Sequence, residues 1–246
     1  MSQRYLIFGA TGGIGRHVAH HLAGAGHQLV LSGRNEIALT ELAEELNATP
    51  LTCDARQWTE VTEVVTTAKK IFGDLDGVVC CIGSILLKPA HLTTEEEFVE
   101  IMDTNLSTSF AIVRAATKAM FSGGGSIVLT ATAAASIGIA NHEAIATAKA
   151  GVIGLTRSAA ATYAPRKIRV NCIAPGLVET PLSEPLLSNE ANRIASERMH
   201  PLGRLGHPEE IARAITWMLS PNQNWITGQI LGVDGGLSSI LSRARS

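Results

Sequence analysis

The sequence lacks most of what would fit it for a special environment. Aromatic residues make up only 4% of its 246 residues, and there are four cysteines. Four cysteines in a chain of this length do not form a disulfide framework, which serves chains too short to bury a core. Cys80 and Cys81 are adjacent in an apolar run, so on a strand they would face opposite ways. Neither they nor Cys53 and Cys172 have further ligands at metal-binding spacing, so buried reduced thiols are expected and a metal site is not. An excess of one charge is also absent. With 20 basic and 22 acidic side chains the formal net charge is −2, which gives no electrostatic reason to expect nucleic acid or an anionic membrane as partner. No apolar run approaches the ~20 residues a bilayer span requires. The first residues enter a strand-like run without a signal-peptide pattern, and the cytoplasm is the expected compartment.

What is present is an ordinary globular composition, 46% hydrophobic and 17% charged. No repeat, linker or low-complexity tract divides the chain, so residues 1–246 read as a single domain. Strand-like runs lie at 5–8, 28–32, 50–52, 77–82, 126–130, 168–172 and 230–233. Several are continuous Val, Ile and Leu, the pattern of parallel strands covered on both faces. Helical patterns fill the gaps at 14–25, 37–46, 57–72 and 143–163. Another helix opens at Thr94-Glu95-Glu96-Glu97, a capping-box pattern, and runs to the glycine break at 123–125. Pro208 with Glu209 and Glu210 marks the first turn of the last helix. Strict alternation implies βαβ units with right-handed crossovers, hence an α/β fold with a doubly wound parallel sheet of about seven strands.

The first strand runs into Gly9-Ala10-Thr11-Gly12-Gly13-Ile14-Gly15 and then a helix. Glycines alone serve any tight turn. Placed between the first strand and first helix they fit a Rossmann-type turn, where backbone approaches a pyrophosphate at a helix N-terminus. The second strand ends Ser32-Gly33-Arg34, where an NAD site usually carries an acid for the ribose hydroxyls. Ser32 and Arg34 instead suit a 2′-phosphate, favouring NADP(H) with NAD(H) still possible. Arg16 can assist, or can be a solvated surface side chain.

Together these features resemble the short-chain dehydrogenases/reductases along essentially the whole chain. The resemblance implies that Gly9, Thr11, Gly13, Ile14, Gly15, Ser32, Arg34, Asp54 and Gly83 contact the cofactor, with Asp54 at the adenine. It implies that Pro175, Gly176, Val178 and Thr180, in Asn171-Cys172-Ile173-Ala174-Pro175-Gly176-Leu177-Val178-Glu179-Thr180, contact the nicotinamide. Pro201-Leu202-Gly203-Arg204 and Val233-Asp234-Gly235-Gly236 look like those of 3-oxoacyl-carrier-protein reductases. A homotetramer, assembled through the helices carrying Asn105 and Lys149 and through the C-terminal strand region, is also implied.

The departures matter more. The family's Asn-Asn-Ala-Gly after the fourth strand reads here Cys80-Cys81-Ile82-Gly83. Its catalytic Asn–Ser–Tyr–Lys set, anchored on Lys149, reads Asn105, Thr132, Ile145, Lys149. Isoleucine moves no proton, and a positioned acid–base group is worth about 10²–10⁴-fold in rate. Thr132 can still donate to a substrate oxygen, or be merely a β-branched residue at a strand end. Tyr163 is too far along the helix to substitute. His142 precedes Lys149 by seven residues, about two helical turns, and both can project from one face. The enoyl-carrier-protein reductases place their tyrosine at that spacing, so His142 can serve as proton donor, or be an exposed loop histidine. The resemblance therefore implies an oxidoreductase acting on a small carbonyl, alcohol or enoyl substrate with an altered proton donor. A cofactor-binding protein without catalysis, a sensor or the inactive member of a mixed oligomer, is the alternative. Residues 182–199 occupy the family's variable lid, where Leu182, Leu186 and Leu187 can line an apolar site or pack as a helix.

Overall fold

The computed structural model of the chain describes residues 2–241. Among them, one sheet contains β1 (Arg4–Phe8), β2 (Gln28–Gly33), β3 (Thr49–Thr52), β4 (Gly77–Cys80), β5 (Gly125–Thr130), β6 (Ile168–Pro175) and β7 (Ile230–Val233). The strands lie in the order β3-β2-β1-β4-β5-β6-β7, and every pairing is parallel. Winding runs outward from β1 to β3, then restarts at β4 on the other side. Ligand crevices in such sheets form at that reversal, beyond the carboxyl ends of the strands.

The helices are α1 (Gly13–Gly24), α2 (Glu36–Glu45), α3 (Trp58–Phe72), α4 (Glu95–Met102), α5 (Thr108–Ala119), α6 (Glu143–Tyr163), α7 (Glu184–Leu187), α8 (Glu190–Met199) and α9 (Pro208–Leu219). Alternation along each strand explains their placement on two faces. In β1, Leu6 and Phe8 join the core with residues of α3, α5 and α6, while Tyr5 and Ile7 join the core with α1, α2 and α9. Cys80 follows the first set and Cys81 packs against the second, as opposite-facing neighbours must. Each fully buried Leu, Ile or Phe contributes about 1.5–3 kcal/mol, so the sheet is held from both sides.

Local signals set the helix ends. Thr94 Oγ1 accepts from Glu97 N at 3.2 Å and Thr94 N donates to Glu97 Oε2 at 2.9 Å, closing the capping box. Asn35 Oδ1 accepts from Ala38 N at 3.1 Å at the start of α2. Pro208 occupies the first turn of α9. Three expectations shift. β4 stops at Cys80 instead of 82, and β6 extends to Pro175 because β7 pairs it that far, Pro175 opposite Val233. The helix expected from Thr94 to the glycine break is interrupted by a π turn, Asp103–Ser107, before α5 begins. There the N–H of Thr108 reaches back five residues to Asp103 O. One extra residue widens the turn without disturbing the apolar pattern, so periodicity alone could not locate it.

Candidate active site

At the nucleotide end, β1 turns into α1 through a cradle that only glycine can build. Gly9 has φ +74°, and a Cβ on Gly15 would lie 2.1 Å from Gly9 O. Gly9 N and Ala10 N both donate to Ser32 O, at 2.9 and 3.0 Å, tying the turn to β2. No side chain caps α1, so its first-turn N–H groups and dipole face the crevice. A Cβ on Gly13 would meet Thr180 at 2.8 Å, which brings the two predicted ends of the cofactor site against each other. Beside the cradle, a pocket of about 190 Å³ is lined by Gly9, Thr11, Ser32, Arg34, Asp54 and Gly83, together with Arg56.

Polar groups in this pocket are unevenly satisfied. Ser32 is 1% exposed, and its Oγ is a buried side-chain atom without a hydrogen-bond partner. The Cys53 thiol lies beside it, but sulfur is a weak partner and burial pushes that thiol up to about 11. Asp54 takes both its oxygens to Arg56, with Nη2–Oδ2 at 2.6 Å and Nε–Oδ1 at 3.0 Å. The Arg56 hydrogen bonds hold the Asp54 carboxyl below its ordinary range, helped by the charge of Arg34. Arg34 itself is exposed at the pocket mouth. Arg16 turns away from the pocket to a loose pair with Glu45 at 3.9 Å.

In the centre, Lys149 is 5% exposed on α6. Its Nζ donates to Thr130 O at 2.9 Å and Ile82 O at 3.4 Å, which leaves one of three N–H bonds. Burial lowers its pKa. Gly83 sits between the two groups: a Cβ there would lie 3.4 Å from both Lys149 Nζ and Asn105 Oδ1. Asn105 lies in the π turn and is wholly buried. Its Nδ2 donates to Ser84 Oγ (2.8 Å) and Ile101 O (3.0 Å), and its Oδ1 accepts from Ser84 N (3.1 Å). Asn105 therefore fixes the segment after β4 against Lys149.

At the substrate end, a cavity of about 260 Å³ is lined by Thr132, His142, Ile145, Leu186, Met199 and His200, among others. Among the described residues, no Asp, Glu, Lys or Arg lines it. Thr132 Oγ1 accepts a long bond from Ala134 N at 3.4 Å, leaving its own hydrogen free to donate. Ile145, one turn before Lys149, is 5% exposed and packs with Ile101, Ala144 and Ala148. His142 forms the N-cap of α6 and is half-buried. Its Nδ1 lies 2.7 Å from Ala140 O. A carbonyl only accepts, so Nδ1 carries the hydrogen and Nε2 is left without a protein partner among the described residues. Of the lid leucines, Leu186 lines the cavity, Leu187 is buried and Leu182 is half exposed.

Two residues of these pockets carry no motif and were missed from sequence, His200 and Arg56. His200 is 4% exposed; its Nε2 accepts from Leu177 N at 3.1 Å and its Nδ1 faces Ser196 O at 2.7 Å. It thus pins α8 to the loop after β6. A Cβ on Gly176 would meet its ring at 2.5 Å, which explains the glycine after Pro175. Pro175 and Val178 are themselves buried, and Thr180 bonds Ser183 through its backbone N at 3.0 Å. The four cysteines are free thiols, and no cluster of metal-ligating side chains occurs among the described residues. Nor is any described helix long and apolar enough to cross a membrane.

Comparison with known proteins supports one family. The profile of the family described as Enoyl-(Acyl carrier protein) reductase matches residues 9–238. Carbonyl reductase family member 4 of Danio rerio is 37% identical over 249 residues, covering 98% of this chain and 100% of that protein. A short-chain type dehydrogenase/reductase from Mycobacterium marinum superposes with a TM-score of 0.91 at 34% identity, covering 97% and 96% of the two chains. A tyrosine-to-phenylalanine variant of ElxO with NADPH bound superposes at 0.92 with 27% identity, covering 98% and 100%.

Proposed function

Because the chain belongs to the short-chain dehydrogenase/reductase family, we propose that it is an NADP(H)-dependent oxidoreductase in which His142 replaces the usual tyrosine as the proton-transfer group. The substrate is a small carbonyl or enoyl compound, or the corresponding alcohol. One observation carries the reading: Thr132 and His142 line the same apolar cavity, and the His142 tautomer is set by Ala140 so that Nε2 is the free nitrogen.

The residues fit the cofactor. Ser32 Oγ is an orphaned buried hydroxyl, the turn is closed so tightly that a Cβ at Gly15 would strike Gly9 O, and α1 presents an uncapped N-terminus. Gly9, Thr11, Gly13, Ile14 and Gly15 would hold the pyrophosphate, with Ser32 and Arg34 at the 2′-phosphate and Asp54 at the adenine. Gly83 and the third N–H of Lys149 would hold the nicotinamide ribose, and Pro175, Gly176, Val178 and Thr180 the carboxamide. When bound, the nicotinamide supplies or accepts the hydride.

The chain's own residues manage the oxygen. Thr132 donates its hydroxyl hydrogen to the substrate oxygen and polarises the carbonyl. In reduction His142, having taken a proton from water onto Nε2, passes it to that oxygen; in oxidation the neutral Nε2 removes it, while Nδ1–H···O=C of Ala140 fixes the ring. Asn105 keeps the segment at Gly83 and Ser84 in register with Lys149. Ile145 forms an apolar wall and takes no part in proton transfer. NADPH on the ElxO variant indicates that, in that protein, the loss of a tyrosine hydroxyl is compatible with cofactor binding. Self-association belongs to the same proposal: Phe98 and Val99 of α4 and Phe110 of α5 are 41%, 48% and 46% exposed, an apolar area suited to a second copy of the chain.

Calorimetry with NADPH and NADH tests the cofactor, with Arg34→Ala in parallel. Tight NADPH binding weakened in the variant supports the reading; binding of neither nucleotide sinks it. The second reading, a cofactor-binding protein without catalysis, draws on Ile145 packing tightly where the family has its acid. Under that reading Ile145→Tyr creates reductase activity absent from the parent. Under the first, the parent is already active.

A further inference from the structure

Arg34, Asp54 and Arg56 line one small pocket beside the orphaned Ser32 hydroxyl. Arg56 spends itself on Asp54. Its backbone N donates to Oδ1 (3.1 Å), Nε to Oδ1 (3.0 Å) and Oδ2 (3.1 Å), and Nη2 to Oδ2 (2.6 Å). Both Asp54 oxygens are thus engaged, the Nε–H shared between them, and the charge of the carboxylate is met by one guanidinium. On its outer side Arg56 shares a shallow depression with Glu95, Glu96 and Glu100 of α4 and Asp103 of the π turn. Arg34, by contrast, makes neither a hydrogen bond nor an ion pair with any described residue, and the only acid it senses within the pocket is Asp54.

We infer that Arg56 is a specificity-determining residue that acts through Asp54: by neutralising that carboxylate it leaves Arg34 free to bind a nucleotide phosphate. The inference rests on the cofactor reading above and deepens it. An ionised Asp54 without Arg56 would have Arg34 as its nearest counter-charge, and it would repel any phosphate brought to that guanidinium. One guanidinium cannot neutralise an acid and also hold a dianion at full strength. With two cations and one acid, the pocket keeps one positive charge in reserve. Arg56 also stands between the pocket and the acids of α4, whose field would otherwise add to the repulsion. A phosphate-bearing dinucleotide therefore gains from Arg56 without touching it, and the form lacking that phosphate gains nothing.

The test is the ratio of NADPH to NADH affinity, by calorimetry, in the wild type, Arg56→Ala, Asp54→Asn and the double variant. Losses common to both nucleotides cancel in the ratio. Arg56→Ala is expected to lower the ratio about tenfold by weakening NADPH, with NADH within about twofold. Adding Asp54→Asn should restore most of the ratio, since the uncancelled charge is gone. Arg56→Lys, which keeps the charge and disturbs the fold least, should hold it within about threefold of wild type. A double variant as poor as Arg56→Ala alone would mean that Arg56 grips the phosphate itself and would overturn the inference. Equal weakening of both nucleotides by Arg56→Ala would overturn it too, leaving Arg56 as a prop for the adenine site. Wild-type protein that binds neither nucleotide removes the cofactor reading, and this one falls with it.

Discussion

The two ends of the crevice differ in how their polar groups are spent. At the nucleotide end an uncapped helix, a buried unpartnered hydroxyl and an unpaired arginine await something with oxygens and negative charge. At the substrate end the polar groups are largely used on the protein. His200 has both nitrogens bonded and Thr132 accepts from Ala134, and among the histidines there only His142 keeps a free nitrogen. Buried polar groups normally find partners, so an unmet one names the chemistry of what should bind. Under the proposed function the nucleotide end calls for a phosphate-bearing ligand, whereas the substrate end offers one free imidazole nitrogen in an apolar cavity.

The largest effect that sharpens this contrast falls on the proton path. His142→Ala is expected to lower kcat about 10²–10⁴-fold, since a general acid–base group is worth that much, with NADPH affinity unchanged within about twofold. Steady-state rates with a true substrate, alongside calorimetry, give both numbers. An unchanged rate would strip His142 of its role. Next comes the cradle. Gly15→Ala forces a Cβ onto backbone at 2.1 Å and should cost about 3 kcal/mol of stability, read by urea unfolding, and should abolish nucleotide binding.

Ser32→Ala carries opposite signs in one variant. Removing an unpartnered buried hydroxyl should stabilise the ligand-free protein by about 1 kcal/mol and weaken NADPH about tenfold. If both signs were the same, the contrast between the two ends would be broken. The smallest effect serves as a control away from the crevice. Glu210 is held down to about 2, chiefly by Arg204 at 2.6 Å. A depressed carboxyl contributes stability that is complete above its ordinary value and disappears as pH falls through about 2. Arg204 is half exposed, so solvent screening reduces the gain to about 1 kcal/mol or less. Glu210→Gln should therefore lower stability slightly at pH 7, make no difference near pH 2, and leave rate and affinity alone.

Much of this architecture is legible in sequence because it depends on local rules. The alternating runs give the parallel sheet, Thr94 to Glu97 give a helix start, and the glycines at 9–15 sit where strand meets helix. What escaped depends on particular side-chain contacts, one between distant residues and two between residues only two apart. His200 gains its meaning from Leu177 N, and Asp54 is tied down by an arginine in an irregular loop that no periodicity marks. The free nitrogen of His142 is of the same kind. Seven-residue spacing from Lys149 suggests a shared helix face, but the geometry puts His142 at the N-cap, where Ala140 selects its tautomer.

The π turn between α4 and α5 shows how little length the chain can lose. Within it Asn105 O accepts from the Ser109 hydroxyl at 2.7 Å, and the Asn105 side chain is bonded to Ser84. Deleting one residue from 103–107 would let the segment relax into plain α-helix. Every side chain on one flank would then rotate by about 100° relative to the other. Either α5 would lose its buried face or Asn105 would leave Gly83 and Lys149. The helix is in effect counted to the residue, and its miscount by one is what delivers the asparagine to the crevice.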